Sequence, residues 1–135
     1  MADPTVKRKA LVVDDESDAR AFVRAILEPD GWEVAEAFDG VDGLKQAKAL
    51  KPDLIVLDVQ MPRKGGFDLF YDLLQDPDTQ KAKVIMLTGV AQKTGLRFSG
   101  KDMGEFLGKE PDAYVEKPID PDIFKRTVQK VFGKA

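Results

Sequence analysis

Short apolar runs alternate with segments of helical periodicity along the whole chain. Four consecutive aliphatic residues without polar alternation are typical of strands that are buried on both faces of a parallel sheet. Five strand-like runs separated by helical patterns predict a doubly wound α/β fold, a five-stranded parallel sheet with helices on both faces. Right-handed crossovers favour the strand order 2-1-3-4-5. The five runs are Ala10–Val13, Trp32–Phe38, Leu54–Leu57, Val84–Leu87 and Ala113–Glu116.

The length of 135 residues corresponds to one domain with a sizeable core, and we expect a tail over 1–7 and a folded domain over 8–135. In the first two helical segments, Phe22 with Ile26 and Val41 with Leu44 have the spacing of buried faces. The segment 91–111 is rich in glycine, and each glycine in a helix costs about 1 kcal/mol relative to alanine. We therefore expect only a short helix there, near 101–107.

Composition excludes several classes of chemistry. The chain has no cysteine and no histidine, so thiol catalysis, zinc sites of Cys and His, and a Ser–His–Asp relay are ruled out. The net charge of −3 does not favour nucleic acid as a partner. The sequence shows neither a signal peptide nor a membrane-spanning run, so a cytoplasmic location without membrane contact is expected.

Residues suited to phosphate chemistry follow four of the five predicted strands. They are Asp14 and Asp15, Asp58, Thr88, and Lys117. In open α/β sheets, ligands bind beyond the carboxyl ends of the strands, where the strand order reverses. The proposed order places that crevice between the first and third strands, so we expect the three aspartates to meet there, with Thr88 and Lys117 approaching from the other side.

Three carboxylates in one crevice repel one another unless one is protonated or a cation is present. Oxygen ligands alone favour a hard cation, and Mg²⁺ fits best because it needs only one or two carboxylates besides phosphate oxygens and water. Asp58 could then attack phosphorus as a carboxylate nucleophile. The metal and Lys117 would neutralise the phosphoryl oxygens, and Thr88 would donate a hydrogen bond.

Several ordered motifs together resemble the receiver domains of two-component response regulators, in particular the single-domain, CheY-like kind. The resemblance extends from about residue 8 to residue 133, and a set of motifs in the right order is far more specific than any one of them. It implies a flavodoxin-like three-layer sandwich. The motifs are Val12-Val13-Asp14-Asp15-Glu16, Leu57-Asp58-Val59-Gln60-Met61-Pro62 with Gly66, Leu87-Thr88-Gly89, and Tyr114-Val115-Glu116-Lys117-Pro118.

The resemblance implies a role for each site residue. Asp58 is the phosphorylation site, and Lys117 pairs with the phosphoryl group. Mg²⁺ is bound by Asp15 directly, by Asp14 directly or through water, by Asp58, and by the backbone carbonyl of Gln60.

The resemblance also implies switching and partners. Thr88 moves toward the phosphoryl group while Tyr114 turns inward, which changes the face formed by the fourth predicted helix, the fifth strand and the last helix. The donor is a histidine kinase or a histidine phosphotransfer protein of a phosphorelay, and a downstream protein reads the switched face. We expect a stand-alone regulator, monomeric or dimerising on phosphorylation, that turns over no separate substrate.

Other interpretations stay open. Asp14 and Asp15 alone could be helix caps, and Asp58 a turn residue. A small phosphatase of the haloacid-dehalogenase type shares the aspartyl-phosphate chemistry but requires its nucleophile after the first strand, in an Asp-x-Asp pattern. A receiver-like binding module that is never phosphorylated is a second alternative. A flavodoxin-type FMN protein is a third, although the phosphate loop that it requires is missing after the first strand.

Two features depart from the family pattern. Thr88 and Lys117 are 29 positions apart, several more than is typical, and the excess falls in the glycine-rich segment. Gly43 stands where the family usually has alanine, which should loosen the second helix slightly.

Overall fold

The computed structural model describes residues 8–59, 65–89 and 111–132. The predicted tail 1–7, Gln60 and the short helix near 101–107 lie outside the described residues. The five strands are β1 (Lys9–Val13), β2 (Glu33–Ala37), β3 (Leu54–Asp58), β4 (Lys83–Thr88) and β5 (Ala113–Glu116). The helices are α1 (Ser17–Leu27), followed by a 3₁₀ turn at Glu28–Asp30, then α2 (Gly40–Leu50), α3 (Gly66–Gln75) and α4 (Pro121–Val131).

The strands form one parallel sheet in the order β2-β1-β3-β4-β5, which confirms the predicted fold class and strand order. The polar residues that follow β1 and β3 therefore lie side by side, since these two strands are neighbours. In their register Val13 is paired with Leu57, so Asp14 and Asp58 follow at the same level of the sheet.

The sheet is covered on both faces. Alternate residues of β1 point to opposite sides: Leu11 and Val13 pack with α2 and α3, whereas Ala10 and Val12 pack with α1 and α4. All four are inaccessible to solvent, as expected for a central strand of a parallel sheet. The two layers of helices produce the predicted three-layer sandwich.

Two of the expected buried helix positions are wrong. Phe22 on α1 is 42% exposed and Val41 on α2 is 60% exposed. In α2 the buried positions are Gly40, Gly43 and Ala47, so small residues face the sheet and the helix packs closely against it.

Gly43 has a packing role that helix propensity alone does not indicate. A Cβ atom at this position would lie 2.9 Å from Cδ2 of Leu69 and 3.0 Å from Cγ1 of Val13. A larger residue here would therefore press on the side chains of Leu69 and Val13, so the glycine lets α2 lie close to β1 and α3 without moving them.

Among the residues that the structure describes, none of the helices has the length and apolar character needed to cross a membrane.

Candidate functional site

Three aspartates converge at the carboxyl edge of the sheet. One carboxylate oxygen from each of Asp14, Asp15 and Asp58 lies within 4.8 Å of the other two. Asp14 is fully buried and Asp58 is 6% exposed, whereas Asp15 is exposed. The cluster therefore has a buried floor made by Asp14 and Asp58 and a side open to solvent at Asp15.

Lys117 brings a cation into the cluster. Its Nζ lies 2.9 Å from Oδ2 of Asp14, 3.4 Å from Oδ1 of Asp58 and 3.6 Å from Oε1 of Glu16. The backbone N–H of Lys117 donates to the carbonyl of Thr88 at 2.7 Å, which anchors the residue beside the end of β4. The peptide bond from Lys117 to Pro118 is cis.

The charges around Lys117 fix its protonation state. Burial alone lowers the pKa of Lys117, but the hydrogen bond that its ammonium donates to Asp14 and the negative charges of Asp14 and Asp58 outweigh burial and raise the pKa above its ordinary value. The ammonium therefore persists at neutral pH. Three carboxylates, those of Asp14, Asp58 and Glu16, lie within 3.6 Å of this one ammonium, and Asp15 adds a further negative charge to the cluster. The excess of negative charge favours binding of a further cation.

The donor set fits Mg²⁺. The clustered ligand atoms are carboxylate oxygens, and the chain has no histidine or cysteine that would favour a softer metal. Asp14, Asp15 and Asp58 are the described residues that could hold the ion. The predicted carbonyl ligand of Gln60 lies outside the described residues and stays a prediction.

Gly66, the first residue of α3, packs against the end of β3. Its N–H donates to the carbonyl of Val59 at 2.9 Å. A Cβ atom at Gly66 would clash with the carbonyl oxygen of Asp58 and lie 2.9 Å from Cα of Val59. Because these neighbours are backbone atoms, the start of α3 can approach β3 this closely only with glycine.

Thr88 and Tyr114 lie on the neighbouring strands β4 and β5. Thr88 ends β4 next to Glu116 of β5 and is partly buried, while Tyr114 is paired with Met86 and is 37% exposed. The structure thus places Thr88 at the same sheet edge as Asp58, and Tyr114 on the outer strand.

Sequence reasoning did not identify two residues in contact with the site. Glu16 lies beside Lys117, and its N–H donates to Oδ1 of Asp14 at 2.9 Å. Arg20, one turn further along α1, donates from Nη1 to the carbonyl of Asp14 at 2.7 Å. The available signal was the position of Glu16 directly after the acidic pair, with Arg20 four residues later on the same helix face.

The family model described as the response regulator receiver domain matches residues 10–129. The chain belongs to this family. The match contains every described site residue from Asp14 to Lys117, and the boundaries 8–135 of the predicted domain stay a prediction.

Curated relatives and solved structures agree with this assignment. Protein PilH of Pseudomonas aeruginosa is 32% identical over 129 residues, covering 93% of this chain and 98% of the relative. The alkaline phosphatase synthesis transcriptional regulatory protein PhoP of Bacillus subtilis is 37% identical over 132 residues, covering 96% of this chain. The chemotaxis protein CheY4 of Vibrio cholerae has a TM-score of 0.79 and 28% identity, covering 93% of this chain and 99% of CheY4.

The receiver chain spans about half the length of several curated relatives that it matches, including 50% of PhoP and 49% of a probable transcriptional regulator from Porphyridium aerugineum. The likeness to these proteins therefore concerns their receiver domain.

Proposed function

We propose that this receiver accepts a phosphoryl group on Asp58, with Mg²⁺ held by Asp14, Asp15 and Asp58. The observation that carries the proposal is the convergence of Lys117 with these carboxylates: a half-buried ammonium 3.4 Å from Asp58 lies beside three clustered aspartates. An acceptor carboxylate, a cation for the phosphoryl oxygens and oxygen ligands for a metal are the parts that phosphoryl transfer requires.

The proposed step is an in-line displacement at phosphorus. A carboxylate oxygen of Asp58 forms a bond to phosphorus, and the bond from phosphorus to the donor nitrogen breaks. The electron pair leaves with the donor imidazole, which is neutral after the transfer if it was protonated before it. The metal supplies charge neutralisation and alignment of the phosphoryl oxygens when bound.

The chain's own residues prepare this step. Lys117 holds its proton at neutral pH and presents it at the position where phosphoryl oxygens would lie next to Asp58. The short contact between the backbones of Gly66 and Val59 fixes the segment that carries the acceptor. Positioning and charge account for most of the catalysis in phosphoryl transfer, so a pre-arranged site of this kind suffices.

The downstream effect follows from the placement of Thr88. Its position at the end of β4, bonded through its carbonyl to Lys117, supports a hydrogen bond from its hydroxyl to the phosphoryl group. A shift of Thr88 would leave space into which Tyr114 turns from its exposed position on β5. The changed face, with β5 and α4, would bind a downstream protein, and a histidine kinase or histidine phosphotransfer protein would supply the phosphoryl group.

Further expectations belong to the same proposal. The chain would release the phosphoryl group by hydrolysis of its own acyl phosphate and turn over no separate substrate. The cytoplasmic location and the monomeric or phosphorylation-dependent dimeric state stay predictions. The phosphatase alternative is disfavoured because the residues that follow β1 are Asp14, Asp15 and Glu16, which do not form the Asp-x-Asp pattern that it requires.

The test is phosphorylation by a small donor. The protein is incubated with acetyl phosphate and Mg²⁺, and its intact mass is measured for the wild type, Asp58→Asn and the control Asp68→Asn, an exposed aspartate in the first turn of α3. We expect one base-labile phosphoryl group on the wild type and on the control, only with Mg²⁺, and none on Asp58→Asn. A wild type that gains none from acetyl phosphate or from a panel of kinases favours the unphosphorylated binding module.

A further inference from the structure

Arg20 connects the acidic cluster to two further charged residues, Glu36 of β2 and Arg24 of α1. Its Nη1 donates to the carbonyl oxygen of Asp14 at 2.7 Å, and its Nε donates to Oε1 of Glu36 at 2.9 Å. The side chain is 17% exposed. One planar guanidinium therefore joins the end of β1 to β2 through two hydrogen bonds of fixed geometry.

Glu36 is itself held in place from two helices. Arg24 donates from Nη1 to its Oε2, and Gln46 of α2 donates to its backbone carbonyl at 2.9 Å. Arg24 also donates to the carbonyl of Val34 at 2.9 Å. Burial raises the pKa of Glu36, but the hydrogen bonds from Arg20 and Arg24 outweigh burial and lower it. Arg20 thus bonds to a carboxylate that is ionised and fixed.

The hydrogen bond from Arg20 holds the peptide group between Asp14 and Asp15. The carbonyl of Asp14 and the N–H of Asp15 belong to one rigid, planar unit, so the direction of that carbonyl sets the path of the chain into Asp15. The N–H of Asp14 donates to the carbonyl of Ala37 at 3.1 Å, which fixes the other side of the residue. Arg20 completes the attachment of the turn that carries both metal-binding candidates.

We propose that Arg20 is a positioning residue that sets the affinity of the Asp14–Asp15 pair for Mg²⁺ without touching the ion or the phosphoryl group. The inference rests on the proposed function, since it concerns the same metal site. Partners that orient metal ligands typically change metal affinity by about 10- to 100-fold when they are removed. Arg20 is placed to act in this way through the backbone.

Mg²⁺ alone is titrated into the metal-free protein by isothermal calorimetry, for the wild type, Arg20→Gln and Arg24→Gln. Arg24→Gln is the matched control because it removes a second arginine from Glu36 on the same helix but no bond to Asp14. We expect Arg20→Gln to weaken Mg²⁺ binding about tenfold and Arg24→Gln to change it less than about twofold. Arg20→Lys, whose ammonium cannot reproduce the two-pronged geometry, should fall between Arg20→Gln and the wild type.

Acetyl phosphate labelling adds a readout that general loss of stability would not produce. In Arg20→Gln the Mg²⁺ concentration for half-maximal labelling should rise, while the rate at saturating Mg²⁺ stays within about twofold of the wild type.

Equal Mg²⁺ affinity in Arg20→Gln and the wild type, or equal weakening in Arg20→Gln and Arg24→Gln, overturns the inference while the proposed function stands. A wild type that binds no Mg²⁺ overturns the proposed metal site itself. If Arg20→Gln does not fold, Arg20→Lys carries the test, and wild-type affinity in that folded variant overturns the inference.

Discussion

The ammonium nitrogen of Lys117 lies 2.9 Å from Oδ2 of Asp14, a carboxylate that is fully buried and lies 103 positions earlier in the sequence. The contact joins the end of β5 to the end of β1 across two intervening strands. It neutralises part of the charge that three neighbouring carboxylates create. The pair therefore links the stability of the metal-free fold to the residues proposed to handle the phosphoryl group.

Replacement of Lys117 by methionine should destabilise the metal-free protein by about 2–3 kcal/mol, because it leaves the buried Asp14 carboxylate without its cation. Urea unfolding at pH 7 with a chelator measures this cost. In an Asp14→Asn background the same replacement should cost at least about 1 kcal/mol less. Equal costs in the two backgrounds would show that Lys117 and Asp14 are not coupled.

The pH dependence of this contribution has a definite sign. The pKa of Lys117 is raised above its ordinary value of 10.5 in the folded state. Its stabilising contribution is therefore complete below pH 10.5 and is lost as the pH rises through the raised folded value. Titration of Lys117 should therefore not change the difference in the free energy of unfolding between the wild type and Lys117→Met from pH 7 to 9. The difference should shrink only at strongly alkaline pH.

If Mg²⁺ occupies the proposed site it should stabilise the fold, because the three carboxylates are brought together only in the folded chain. At one hundred times its dissociation constant, a ligand adds about 2.7 kcal/mol to the free energy of unfolding. Urea unfolding with and without Mg²⁺ should show this gain in the wild type and in the control Asp18→Asn, which alters an exposed acid in the first turn of α1. Asp15→Asn should lose most of the gain. An equal gain in Asp15→Asn would place the ion elsewhere.

Adjacent glycines after β3 should respond differently to alanine. Gly66→Ala introduces a Cβ that clashes with backbone atoms of Asp58 and Val59, and we expect a loss of about 3 kcal/mol in the free energy of unfolding. At Gly65 the nearest atom to an added Cβ is the carbonyl oxygen of Val59 at 3.4 Å, so Gly65→Ala should change stability by less than about 0.5 kcal/mol. Similar losses in both variants would contradict the close approach of α3 to β3.

Glu36 should contribute stability above its ordinary pKa of 4.5. Because the folded pKa is lowered, the contribution is present above that value and is lost as the pH falls through the folded pKa. Glu36→Gln should cost about 1 kcal/mol at pH 7 and progressively less toward pH 3. Glu33→Gln, an exposed position on the same strand, serves as the control and should have a small effect at either pH. A cost for Glu36→Gln that does not depend on pH would contradict the ion pairs with Arg20 and Arg24.

The sequence was sufficient to predict the sheet and the acidic cluster, for a shared physical reason. A strand buried on both faces, such as Leu54–Asp58, has a continuous apolar run, whereas a strand with one exposed face alternates apolar and polar residues. The polar residue that ends the run lies at the carboxyl edge of the sheet. Once the strand order is known, Asp14 and Asp58 must meet, because they end neighbouring parallel strands.

Features that depend on distances between elements could not be predicted in this way. The bond from Arg20 to Asp14 depends on how α1 leaves the end of β1, and the packing of Gly43 depends on how closely α2 approaches Leu69. Apolar residues at helical spacing can define more than one face of the same helix. The exposure of Phe22 and Val41 could therefore be recognised only once the position of each helix on the sheet was known.

The central claim is that Asp58 is the phosphorylated residue, and localisation of the phosphoryl group tests it most directly. Protein labelled with acetyl phosphate and Mg²⁺ is reduced with borohydride, which converts an aspartyl phosphate to homoserine, and its peptides are sequenced by mass spectrometry. Unlabelled protein treated in the same way is the control. We predict homoserine at position 58, and only in the labelled sample. Homoserine at Asp14, at Asp15 or at another aspartate, with unmodified Asp58, would contradict the account.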